Sequence, residues 1–120
     1  MPIPVVSPGD VIRIEDRETI PIKSKIHPCL CMAEHLFMRI NSKPLWQPCH
    51  MLLRKHNQYL DHDSYAELNQ LVRHYNHQLR DAEVVGRLSS SEAQKLIASA
   101  ERAETLSDEQ KSLIRQRLSY

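Results

Sequence analysis

The sequence predicts a mainly α fold: about five short-to-medium helices behind an N-terminal β-hairpin, in one compact domain. Three observations lead there. All seven prolines lie at or before position 48, and residues 49–120 contain one glycine, Gly86, and no proline, so nothing in that stretch blocks a helix interior. Ser64 with Glu67, Ser89 with Glu92, and Ser107 with Gln110 each have the spacing of a capping box. Apolar residues also recur at three- and four-residue intervals through the same region.

Taken in chain order, Ser7-Pro8-Gly9-Asp10 suits a type II turn, with proline setting φ and glycine accepting a positive one. Val11, Ile12 and Ile14 then predict a strand. Thr19, Ile20 and Ile22 predict its hairpin partner, which Pro21 confines to an edge. Pro28 and Pro48 suit first helical positions. A helix is expected from about Pro28 to Ile40, burying Ala33, Leu36, Phe37 and Ile40. Another is expected from about Pro48 to Leu60, with Cys49, Leu52, Leu53, His56, Tyr59 and Leu60 on its buried side and Trp46 covering the junction. The capping boxes start helices near 65–85, 90–104 and 108–118, and Gly86 ends the first of these. The domain therefore divides into an extended front (1–26), a His/Cys-rich helical middle (27–86) and a C-terminal helical hairpin (87–120).

At 120 residues one core is expected, and 41% hydrophobic with 26% charged residues is ordinary for a globular chain. The aromatic residues are one Phe, one Trp and four Tyr, so the core is mostly aliphatic. Sixteen basic against fifteen acidic side chains leave a net charge of +1, which argues against a non-specific polyanion binder. The first residues, MPIPVVSPGD, lack a basic start followed by an apolar run, and no apolar stretch approaches the ~20 residues of a membrane helix. A cytoplasmic location with reduced thiols and no membrane association is the expectation.

All seven histidines and three cysteines fall between His27 and His77. Within that segment His27, Cys29, Cys31, His35 and Cys49 form a candidate zinc set, although Cys29-x-Cys31 is tighter than the usual ligand pair. The alternative is that the cysteines are small buried hydrophobes and no cofactor is bound. His56 reads as a buried structural imidazole. The outer face of the expected 64–85 helix carries Asn69, Gln70, Arg73, Asn76, His77 and Arg80, with His74 on its flank. Those side chain types read base edges, and the short Asp61–Asp63 connection before them is like that of a helix-turn-helix.

Catalytic signatures are missing from the sequence: there is no G-x-S-x-G, no glycine-rich phosphate loop and no H-E-x-x-H. Cys49 and His50 are adjacent, which on a helix points their side chains about 100° apart. The last two helices carry narrow apolar stripes through Leu96, Ile97 and Ala100, and through Leu113, Ile114 and Leu118. These either complete the core, present a surface to a partner protein, or pair with a second copy in a homodimer. The expected function is therefore that of a small non-enzymatic regulatory or adaptor protein that binds another protein, as an inhibitor or modulator. The alternative is a DNA-binding regulator that uses the 64–85 helix and is stabilised by zinc.

Overall fold

The structure, a computed structural model, describes residues 3–16, 21 and 23–120, and it is built mainly of β-strands. The mainly α expectation is overturned. The described residues form eight strands in two antiparallel sheets, with three α-helices. One sheet has five strands in the order β7-β3-β2-β1-β8: β1 Asp10–Asp16, β2 Lys23–Cys31, β3 Leu36–Phe37, β7 Val72–Arg73 and β8 Glu83–Arg87. The other has three in the order β4-β6-β5: β4 Ile40–Asn41, β5 Cys49–Leu52 and β6 Ser64–Glu67. The helices are α1, a single turn at Asn76–Leu79, then α2 Ser90–Arg102 and α3 Asp108–Leu118. None of these helices is long and apolar enough to cross a membrane.

The N-terminal turn forms as expected. Gly9 takes φ 91° and the Asp10 amide donates to the Ser7 carbonyl at 2.9 Å, so the chain enters β1 where Val11 begins the apolar pattern. The hairpin also forms, but with β2 as the second strand, in a register that sets Ile12 opposite His27 and Asp16 opposite Lys23. The expected strand at Thr19, Ile20 and Ile22 lies outside the described residues.

β2 explains why the middle of the chain reads ambiguously. It is central, and every residue from His27 to Cys31 is buried. A strand covered on both faces loses the alternation that marks a half-buried one, and a short continuous apolar run resembles a helix segment. Pro28 sits in this central strand without disrupting it. Its carbonyl accepts from the Met38 amide at 2.9 Å, so its missing N–H faces the point where pairing with β3 stops. Leu36 and Phe37 settle the matter physically. Neighbours in sequence, they bury into different apolar clusters on the two faces of the sheet, as successive strand residues do.

The other expected helices of the middle also give way. Ala33 is exposed in the turn between β2 and β3, where His35 takes φ 57°. The Pro48–Leu60 segment is β5 followed by a 3-10 turn at Arg54–His56, and His56 is exposed rather than buried. Trp46 is 58% exposed and covers no junction. The Ser64 box starts β6, not a helix, and Gly86 lies within β8.

The C-terminal helices match expectation closely. The Ser89 hydroxyl accepts from the Glu92 amide at 3.0 Å, and Ser107 and Gln110 form a reciprocal box. Their stripes close the larger core: Leu96, Ala100, Ile114 and Leu118 are buried with Val11, Leu30, Met38 and Leu52, and Ile97 and Leu113 are partly buried against it. A smaller cluster on the opposite face of the five-stranded sheet holds Ile12, Ile14, Cys29, Phe37 and Val72 beneath Leu79 of α1.

Gly86 has a packing role instead of a helix-ending one. A Cβ there would stand 2.6 Å from Tyr59 Cδ1 and 3.0 Å from Tyr59 Cβ, while the Tyr59 hydroxyl is tied to Asn57 at 3.0 Å. Gly86→Ala should therefore lower the unfolding free energy by about 1–3 kcal/mol, as overpacking does. Urea denaturation reads this out, and unchanged stability would mean that the ring yields freely.

Candidate functional site

The His/Cys segment does not assemble as one site. His27, Cys29 and Cys31 follow one another at two-residue spacing along β2, while His35 lies in the turn after it against the Tyr75 ring, with centroids 5.3 Å apart. Cys49 belongs to the other sheet. Among the described residues no group of three or more His, Cys, Asp or Glu side chains is placed to hold a metal ion. Burial pushes the Cys29 thiol up to about 12, with the neighbouring Cys31 and Asp10 adding to the effect. Burial also raises Cys49. Both thiols therefore stay protonated near neutral pH and are weak nucleophiles and weak metal ligands.

The nucleic-acid set is dispersed as well. Asn69 and Gln70 lie in the loop between β6 and β7, Arg73 on β7, Asn76 and His77 on the single turn of α1, and Arg80 just after it. No recognition helix exists over 64–85, so the helix-turn-helix reading fails. His74, expected on the outer flank, is buried.

What the fold assembles instead is a sealed polar cluster that draws on both sheets. Arg39 follows β3 and is almost fully buried. Its Nε donates to Asp16 Oδ2 at 2.6 Å and its Nη2 to Asp16 Oδ1 at 3.2 Å, a two-pronged pair. Its Nη1 stands 3.7 Å from Glu67 Oε2 on β6, and Asn41 Nδ2 donates to the other Glu67 oxygen. Next to this pair, His27 Nδ1 and His74 Nε2 are 2.8 Å apart with the rings stacked at 18°. His27 Nε2 faces Asp16 Oδ2 at 3.6 Å. The carboxylate favours a hydrogen on that nitrogen, so Nδ1 accepts and His74 Nε2 donates. Burial drives His27 down to about 3, with His74 and Arg39 adding to the shift and Asp16 opposing it.

A second feature is accessible. A groove of about 580 Å³ runs between the β3–β7 edge and the start of α3. Leu36 and Leu113 line it together with Arg73, Glu34, Asp108 and Glu109. Both leucines belong to the packing of the larger core, so the apolar part is fixed by the fold. The three carboxylates are exposed, and the Arg73 guanidinium is turned to the Glu34 carbonyl. The groove unites one residue of the expected nucleic-acid face, Arg73, with one of the expected partner stripe, Leu113. The remaining stripe residues, Leu96, Ile97, Ala100, Ile114 and Leu118, face the core. Sequence spacing could not show this, because Glu34, Arg73 and Asp108 are each more than thirty positions apart.

No protein-family model matches this chain, and no curated protein matches it in sequence. The site rests on its own geometry.

Two outcomes follow from the sealed cluster. Arg39→Met leaves Asp16 and Glu67 buried without their cation, and should cost about 3–5 kcal/mol of stability by denaturant titration; a loss below 1 kcal/mol would show that water reaches the pair. His27 is neutral in the fold, whereas its unfolded counterpart protonates near pH 6.5. Its contribution is thus complete above pH 6.5 and declines as pH falls toward 3. Urea midpoints should drop between pH 6.5 and 5, and His27→Gln should flatten that part of the profile.

Proposed function

We propose that this protein acts by binding another protein, in a regulatory or adaptor role, and that the groove between the β3–β7 edge and α3 is the contact. The observation that carries this is the pairing of an apolar strip, Leu36 and Leu113, with the Glu34, Asp108 and Glu109 carboxylates along one groove. An apolar side chain fills the strip while a neighbouring cation meets the rim. The occupant that fits is an extended or helical segment with Lys or Arg beside a Leu-like residue.

Two further observations support a binding role. The densest set of titratable groups, Asp16, His27, Arg39, Glu67 and His74, is buried and so serves the fold. The helix that lines the groove, α3, is braced by the Ser107–Gln110 capping box and by the ion pair of Arg115 with Glu101 on α2. The Thr105 hydroxyl, which donates to the Leu68 carbonyl at 2.7 Å, ties the link between α2 and α3 to the sheets.

The test is peptide selection on the folded protein from a random display library, followed by affinity measurement. Selected peptides should carry a basic residue next to an aliphatic one. Their affinity should fall about tenfold or more in Asp108→Lys/Glu109→Lys, and weaken with salt. The melting temperature should change little, since two exposed charges at a helix start contribute about 0.3–1 kcal/mol each. Peptides that bind the double variant equally well would place the contact elsewhere on the molecule.

A further inference from the structure

Apart from the groove and the sealed cluster, one line of polar side chains joins the second sheet to α2. His50, on β5, lies across α2 with Nδ1 2.7 Å from Ser99 Oγ and Nε2 3.0 Å from Glu92 Oε2. Glu92 and Ser99 are seven residues apart on α2 and therefore share a face two turns apart. One imidazole spans the gap between them. The other Glu92 oxygen accepts from Asn57 Nδ2 at 2.9 Å, and Asn57 Oδ1 accepts from the Tyr59 hydroxyl at 3.0 Å. Burial alone would push the Glu92 carboxyl up, but hydrogen bonds from Asn57 and His50 outweigh it and hold the group below the usual carboxylate range.

That ionised carboxylate sets the direction of the chain of hydrogen bonds. Facing that carboxylate, an imidazole in its neutral form carries its hydrogen on Nε2, which leaves the Nδ1 lone pair to accept from the Ser99 hydroxyl. A hydroxyl that donates to an imidazole held by a carboxylate has the arrangement that activates serine as a nucleophile. Ser99 is half-buried. Ser99 lines a pocket of about 160 Å³ together with Cys49, Leu68 and Arg102. Cys49 is kept in its thiol form by burial and does not compete. Arg102 also lines the pocket and adds a positive charge, the sign that stabilises the oxygen of an attacked carbonyl.

We propose that Ser99 is an activated hydroxyl that takes up an acyl group from a small activated ester entering the Cys49–Arg102 pocket. Ser99 Oγ forms a bond to the ester carbonyl carbon as the bond from that carbon to the alcohol oxygen breaks. The hydroxyl proton passes to His50 Nδ1 and from there to the departing oxygen, so an alcohol leaves and an acyl-serine remains. The pocket has the volume of roughly five liquid waters, which restricts the acyl part to a few carbons. This activity is independent of the protein-binding groove.

The experiment exposes the folded protein to p-nitrophenyl acetate and follows the Leu96–Arg102 tryptic peptide by mass spectrometry, since Ser99 is the only hydroxyl in that peptide. Acetylation of this peptide is expected, with none in Ser99→Ala and a rate at least 100-fold lower in His50→Gln. If His50→Gln does not melt cooperatively, urea-unfolded wild type is the reference, and its Ser99 should react at least 100-fold more slowly than in the fold. An unlabelled peptide in the folded protein, or equal rates in the folded and reference states, overturns the proposal and leaves His50 as a clamp between β5 and α2.

Discussion

Arg39 is the residue on which the two sheets converge. Its guanidinium holds Asp16 at the end of β1 in one sheet and reaches Glu67 of β6 in the other. Buried carboxylates are tolerated only where a cation and hydrogen bonds replace the water they lose. Wherever Asp16 and Glu67 are buried, Arg39 must lie between them, and that sets how the sheets meet. The His27–His74 pair extends the same cluster along one face of the five-stranded sheet, where burial, with His74 and Arg39 adding to it, holds His27 well below the usual imidazole range against the pull of Asp16.

The larger core lies on the opposite face of that sheet, and the C-terminal helices close it. Their stripes are modest, rich in alanine and leucine, and they complete a core that the short strands could not enclose alone. A consequence is that Leu113 ends up only partly covered, at the seam where α3 begins and the β3–β7 edge ends. The groove exists because a helical hairpin meets a sheet edge of two-residue strands, which cannot fill the seam. The function we propose depends on that mismatch of shapes.

His50 illustrates how the same joint can serve both packing and chemistry. It links β5 to α2 through Ser99 and Glu92, and Glu92 in turn is held by Asn57. In the sequence, Glu92 reads as the reciprocal half of the Ser89 box. In the fold its backbone amide does bond to Ser89, but its carboxylate turns to His50 and Asn57. One residue thus starts a helix with its main chain and anchors a second sheet with its side chain. Neither His50 nor Ser99 carries a local signature of this, because their partners come from elements more than forty positions apart.

By itself the sequence determined the N-terminal turn, the first strand and both C-terminal helices. Each depends on contacts within a few residues: a glycine with positive φ, a serine capping its own helix, an apolar stripe at helical spacing. It also marked His27 to His77 as the chemically dense segment, without showing how that segment is arranged. The absence of proline from residues 49–120 permits helices but does not drive them, and between Cys49 and Arg87 the chain adopts strands of two to five residues. Strands so short, or buried on both faces as β2 is, carry no readable period. Their identity comes from partners distant in sequence, such as Leu36 with Arg73 and Ile40 with Ala66. Only the tertiary structure could bring Arg39 to Asp16, Arg73 to Glu34, and His50 to Ser99, because hydrogen bonding selects these neighbours across the fold and not along the chain.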